Sequence, residues 1–181
     1  YTGVDGESIK TADNVTFKYY QKGESGDYDI ALTDAPKNAG DYKVVASAEQ
    51  VANYNPVSDD ELVFTISKRK ITIKAADADN TYDGTALTKN EYKVMNTLPD
   101  EGLAKPEGKI ADQITTITIT GSRTDCGTSA NKASGAKIQV GDKNGEDVTD
   151  NYDIKYVDGT LKVTEATATL KITTTFLDKV Y

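Results

Sequence analysis

Four oxygen-bearing side chains fall within one short stretch: Asp77, Asp79, Asn80 and Asp83. Calcium prefers carboxylate and amide oxygens, so Asp77, Asp79 and Asp83 are the candidate metal ligands. No cofactor is expected, calcium being the one these residues raise. The plainer reading is a solvated acidic turn leading into a strand, because the spacing departs from that of defined calcium loops. Asp142-Lys143-Asn144-Gly145-Glu146-Asp147 has the composition of a calcium loop. Its Gly stands fourth rather than sixth, so it reads as a hairpin tip.

Other chemistry is hard to assemble from this chain. It has no His, which removes the usual general base and the commonest metal ligand. The single Cys, Cys126, excludes an intrachain disulfide and a thiolate zinc site, and nothing is present to activate it. The carboxylate pairs Asp59/Asp60 and Glu146/Asp147 lie in polar stretches with nothing to raise a pKa. No catalytic or cofactor-binding residue is expected, and the chain reads as non-enzymatic. Tyr supplies 11 aromatic residues against 3 Phe. Tyr19, Tyr20, Tyr54, Tyr92 and Tyr156 could stack on a sugar or dock on a protein. A tyrosine in a thin β-module more often fills the core with its ring and keeps its hydroxyl wet.

Composition narrows the partners. Hydrophobic residues make up 37% and charged residues 28%, values of a folded chain rather than a disordered one. The net charge of −8 lacks the basic footprint that nucleic acid requires. No apolar run approaches the length of a membrane span, so no membrane insertion is expected.

The elements that must position these residues repeat. Leu62-Val63-Phe64-Thr65-Ile66 matches Leu161-Lys162-Val163-Thr164-Glu165, 99 positions on. The same spacing pairs Ile71 with Leu170, Ile73 with Ile172 and Tyr82 with Tyr181. Asn53-Tyr54 matches Asn151-Tyr152, Gly40 matches Gly127, and Tyr1-Thr2-Gly3 matches Tyr82-Asp83-Gly84. Insertions around 95–112 and 141–147 in the second unit make the spacing drift. Such self-similarity marks tandem modules. We expect a first module over 1–68, truncated at its N-terminus, and a second over 69–166. Residues 167–181 would be the first strand of a following repeat, the whole being a fragment of a longer protein.

Apolar and polar residues alternate with a period of two at Tyr28/Ile30/Leu32, Tyr42/Val44/Ala46, Leu62/Phe64/Ile66 and Ile71/Ile73. The pattern returns at Ile117/Ile119, Ala136/Ile138/Val140, Tyr152/Ile154/Tyr156 and Leu161/Val163. This predicts strands of sheets with one wet face. Asp158-Gly159, between two such runs, predicts a hairpin turn. Thr128–Ala136 could make a short helical turn. Many short strands in modules of this size predict an all-β fold of two Ig-like sandwiches. The alternative is a pair of β-grasp-like modules, which would need a packed helix.

Two sets of stretches carry a family likeness. Residues 38–56, "NAGDYKVVASAEQVANYNP", resemble the late strands of bacterial Ig-like repeats. "TYDGTALTKNEYKV", "TGSRTDCGTSANK" and "DNYDIKYVDGTLKVT" are similar to the repeats called MBG or YDG type, found in large surface proteins of Gram-positive and gut bacteria. The resemblance implies an extracellular repeat segment acting as a stalk or spacer in adhesion, with neighbouring repeats as its partners. The alternatives are an adhesin module binding host glycan or protein directly, and an accessory carbohydrate-binding module of a secreted enzyme. Gly40-Asp41-Tyr42-Lys43-Val44 resembles a tyrosine corner, in which Tyr42 would bond its hydroxyl to upstream backbone. In the second module Ser129 falls where Tyr42 would, so that corner is expected to be absent or rebuilt. An intramolecular Lys–Asn isopeptide bond, carried by some bacterial surface modules, is compatible with the sequence. Leu98-Pro99-Asp100-Glu101-Gly102 resembles a sortase motif, but Glu replaces Thr and no hydrophobic tail follows, so it reads as a loop. Only Lys68-Arg69 separates two predicted strands, and so short a joint implies a semi-rigid rod. The spare strand at 168–176 could pair in trans with the open edge of another molecule's first module.

Overall fold

The computed structural model describes residues 15–48, 57–95, 98–141, 145–167 and 171–175. Its regular structure is almost entirely β, in several sheets, as the alternation predicts. Among the described residues there is no α-helix, and one 3-10 turn covers Thr149–Asn151. By contacts the chain divides into two compact units. One comprises Tyr1–Ile71, Thr97–Thr115 and Lys137–Ile154; the other comprises Thr72–Asn96, Thr116–Ala136 and Lys155–Tyr181.

The first unit holds an antiparallel sheet of β1 (Val15–Gln21), β2 (Ile30–Leu32), β3 (Gly40–Ala48) and β4 (Val57–Ile66), in the order β2-β1-β3-β4. The register sets Tyr19 opposite both Leu32 and Val44, and Val44 opposite Leu62. Residues opposite one another share a face of the sheet. Tyr42 and Phe64 form the next row on that face, with ring centroids 5.7 Å apart. Tyr42 is 2% exposed, yet Leu62 on the same face is 63% exposed. Tyr42 donates its hydroxyl hydrogen to the Asn38 carbonyl at 2.9 Å, closing the expected corner.

The later strands are β5 (Arg69–Ala75), β6 (Ala78–Thr81), β7 (Tyr92–Met95), β8 (Gln113–Thr120), β9 (Gly127–Gln139), β10 (Tyr152–Val157) and β11 (Gly159–Thr164). They form two sheets, β10-β5-β7 and β6-β11-β9-β8. Ile71, Ile73 and Ala75 alternate inward along β5, and Leu161 and Val163 along β11. The parallel pair in these sheets is β6 with β11, in which Leu161 meets Ala78 and Val163 meets Asn80.

Two expectations are corrected. Asp158-Gly159 does not turn a hairpin, because β10 lies beside β5 whereas β11 lies beside β9 and β6. The dipeptide is a corner at which the chain changes sheets. Gly159 is required there by close approach: a Cβ on it would come 2.3 Å from the Ala76 carbonyl oxygen. Thr128–Ala136 forms no helical turn, since the whole stretch is strand β9. Its buried positions run Asn131 and Ala133, then Ala136 and Ile138. The phase slips at Gly135, whose φ of 63° inserts the extra residue of a bulge. Of the spare strand expected at 168–176, residues 171–175 are described and are not in a strand; the remainder lies outside the described residues. The hairpin expected at 142–147 closes through a Gln139–Asp147 bridge and a Val140 N–H to Glu146 carbonyl bond of 3.0 Å.

Candidate functional site

The acidic cluster sits where β5 passes into β6. Asp77 accepts from the Lys74 ammonium at 2.7 Å and from the Thr160 backbone N–H at 2.8 Å. Asp83 accepts from both the hydroxyl and the backbone N–H of Thr85, at 2.7 and 2.8 Å, and from the Asn80 amide at 3.1 Å. Asp79 is exposed in β6, opposite Lys162 of β11. The Lys74 hydrogen bond is the main cause holding Asp77 below the ordinary carboxylate range, and the Thr85 hydroxyl does the same for Asp83. Asp83 is thus spent on a local turn, and Asp77 on Lys74 and the distant Thr160 backbone. Among the described residues no three Cys, Asp or Glu converge in a way that would hold a metal.

The tyrosines divide by environment. Tyr156 accepts the Ala136 N–H at its hydroxyl oxygen, 2.8 Å away, and so ties β10 to the bulge of β9. Tyr20 lies half-buried with the Lys43 ammonium 5.3 Å from its ring centre. Tyr19 and Tyr92 are half-buried within their sheets, and Tyr54 lies outside the described residues. Cys126 is exposed in the bend before β9, and its carbonyl accepts from the Arg123 guanidinium. Ser129, the counterpart of Tyr42, donates its hydroxyl hydrogen to the Ser122 carbonyl at 3.1 Å.

The densest polar grouping in the first unit is one that the sequence did not single out. Tyr152 is buried at the start of β10, and its hydroxyl donates to the Asp112 carboxylate at 2.5 Å while accepting the Ala104 N–H at 2.9 Å. Burial, reinforced by Asp112, pushes the phenol up to about 12. It therefore stays protonated at neutral pH and serves as a clamp rather than an acid or base. Arg69 spans three main-chain carbonyls, those of Pro99, Glu101 and Gly102, at 2.8 to 3.1 Å. The Lys70 carbonyl takes the Gly102 N–H at 2.8 Å. Together Arg69 and Tyr152 stitch down the insertion at 98–112. Beside them Asn151 uses both ends of its amide: it accepts the Ala39 N–H at 2.7 Å and donates to the Asn38 side chain at 2.9 Å. A cleft of about 220 Å³ is lined by Arg69, Asp112, Tyr152, Asn151, Ser67 and Lys37, among others. It offers hydrogen-bonding groups but no nucleophile beside a base.

The one fully buried polar side chain is Asn131, at 0% exposure in β9, among the described residues. Its amide nitrogen donates to the Ala76 and Lys89 carbonyls, both at 2.8 Å. Both amide hydrogens therefore go to main chain, and the Asn131 side chain ties β9 to the Ala76 and Lys89 backbone. Its Oδ1 has no hydrogen-bond partner and faces Gly121, where a Cβ would come within 2.8 Å of it. A polar residue in an alternating apolar run was the available signal for Asn131. Arg69 and Tyr152 carried no such signal, since their partners, main-chain groups and the Asp112 carboxylate, lie 30 or more residues away in sequence. No family model, curated protein or solved structure matches this chain.

Proposed function

We propose that the chain is a pair of tandem Ig-like β-sandwich modules, 1–68 and 69–166, serving as a non-catalytic stalk or spacer in an extracellular bacterial surface protein. The observation that carries this reading is how its polar side chains are used. Arg69, Asn151 and Tyr152, around the short Lys68-Arg69 connection, are all committed to main-chain, amide or carboxylate partners. Under the proposed boundaries, the Asn151 bridge to Asn38 and Ala39 is a joint between successive modules. A joint fixed by paired amide bonds limits bending between neighbours, which suits a segment that holds something at a distance. The tyrosine corner and the 99-residue echo of strand sequence further support an Ig-like repeat.

The test is a binding screen of residues 1–181 against mucins, host matrix proteins and a broad glycan array, with calcium and with chelator. The spacer reading expects no saturable binding under either condition. A saturable interaction weakened by Tyr92→Ala or Tyr20→Ala would make this an adhesin module and overturn it. Calcium-dependent binding lost in Asp77→Asn would restore the acidic turn as a metal site.

A further inference from the structure

We propose that the outer edge of β8, over Thr116–Thr120, is a self-pairing site at which two copies of this chain join edge to edge as an antiparallel dimer. The proposal rests on the geometry and composition of this edge, and not on the spacer reading.

A strand at the end of a sheet leaves a row of main-chain N–H and C=O groups unpaired, and proteins guard such edges with charge, brevity or proline. Among the described residues, five of the six terminal strands are guarded in this way. β2 has only three residues. β6 and β7 have four each, with Asp79 in the one and Lys93 in the other. β10 carries Asp153 and Lys155, and β4 carries Asp59, Asp60 and Glu61. β8 is the exception. It has eight residues, Gln113-Ile114-Thr115-Thr116-Ile117-Thr118-Ile119-Thr120, with no charge, no proline and no glycine. Isoleucine and threonine are β-branched and suit extended backbone. β9 lies on one side of β8, and no strand lies on the other among the described residues. Past its end, Arg123 and Leu87 exchange main-chain bonds of 2.8 and 3.1 Å, which bounds the open run. Thr116–Thr120 falls within one compact unit, with β6, β11 and the first part of β9.

The stretch suits itself as a partner. Ile117 and Ile119 are half-buried, whereas Thr116, Thr118 and Thr120 are exposed. Residues opposite one another in an antiparallel pair share a face, so the register must set Ile against Ile. A two-fold axis at Thr118 does this. Ile117 then meets Ile119 of the second copy, Thr116 meets Thr120, and Thr118 meets itself. Five residues from each copy supply about four to six main-chain hydrogen bonds. The two four-stranded sheets become one continuous sheet. Each copy carries a net charge of −8, so copies repel over much of their surface, and an uncharged strand is where they can approach. The contact is isologous and closes at two copies.

Sedimentation velocity of the 1–181 polypeptide across a concentration series tests this. The expected result is a reversible monomer–dimer equilibrium with no larger species. Thr116→Glu/Thr120→Glu sets Glu opposite Glu at both ends of the pairing and should weaken the dimer about tenfold. Thr116→Lys/Thr120→Lys should weaken it to a similar degree, although it moves the net charge the other way. Thr116→Lys/Thr120→Glu sets Lys opposite Glu and should recover the affinity of the parent. Both positions are exposed, so all three variants should keep the β-sheet circular dichroism of the parent. A parent monomeric at every concentration would overturn the proposal, and binding of an extended Ile- and Thr-rich peptide by that monomer would give the edge to another protein. Dimers indifferent to the like-charge pairs, a mixed pair no tighter than those, or growth past the dimer would overturn it as well.

Discussion

β4 and β11 carry the same sequence pattern and occupy the same place beside β3 and β9, yet they differ in nearly every physical respect. β11 is paired on both edges and buries Leu161 and Val163. β4 is paired on one edge among the described residues, and Leu62 is exposed. The sequence also differs at one telling point. Gly159 allows the corner against the Ala76 carbonyl, where the main chain passes from the β5 sheet to the β9 sheet. Its counterpart is Asp60, and there β4 runs unbroken from Val57 to Ile66 with Asp60 opposite Ala46. Among the described residues, the same strand code thus pairs on both edges at β11 and on one edge at β4.

The largest expected effect separates the two strands directly. Leu161→Ala should cost about 2–5 kcal/mol by emptying a filled core site, whereas Leu62→Ala should stay within about 0.5 kcal/mol, as surface changes do. Denaturant titration of both variants measures this, and equal losses would erase the distinction. Next in size is Gly159→Ala, expected to cost about 1–3 kcal/mol because the added Cβ must displace main chain. Asp60→Ala should be near neutral by the same assay, since no corner is made there.

Asn131 sharpens the comparison at β3 and β9, because the first sheet has Val44 at the equivalent place. Asn131→Val should destabilise by about 1–3 kcal/mol, since it strands the Ala76 and Lys89 carbonyls in a dry site. A stabilised variant would mean that relief of the unpaired Oδ1 outweighs both bonds. The smallest effect is in pH dependence. The Tyr152 phenol titrates at about 12 in the folded chain against 10.0 for the free group, so the unfolded chain ionises first. Its contribution is complete below pH 10 and is lost as pH rises towards 12. Tyr152→Phe should lower stability by roughly 1 kcal/mol at neutral pH and flatten the decline in that window, read by thermal melts from pH 8 to 12.

Much of this was legible in the sequence. Period-two alternation located β2 to β5, β8, β10, β11 and the end of β9, because a sheet residue reports its face through its neighbours two positions away; β1, β6 and β7 were not among the runs. The Tyr42 corner was legible because its partner is local. What stayed hidden depends on distant backbone. Asp158-Gly159 has the letters of a hairpin turn, but the Gly serves close packing against Ala76 rather than a tight reversal. Ser, Asn and Lys in Thr128–Ala136 masked a strand whose inward positions are small, and Gly135 shifts its phase midway. Arg69, Asp112 and Tyr152 were hidden because a clamp on main-chain carbonyls and amides leaves no side-chain pattern to read. The acidic turn at Asp77, Asp79 and Asp83 was visible, but only the structure shows where its oxygens point.

The claim at the centre of this account is that β11, paired on both edges and buried, is held more firmly than β4, which is paired on one edge among the described residues. Residue-resolved amide hydrogen exchange on the 1–181 chain addresses it most directly, because opening free energies follow burial and pairing. The account predicts that amides of β9 and β11 exchange more slowly than those of β3 and β4, on average by roughly tenfold or more, equivalent to about 1.4 kcal/mol of extra protection. Equal protection across the two pairs would contradict it.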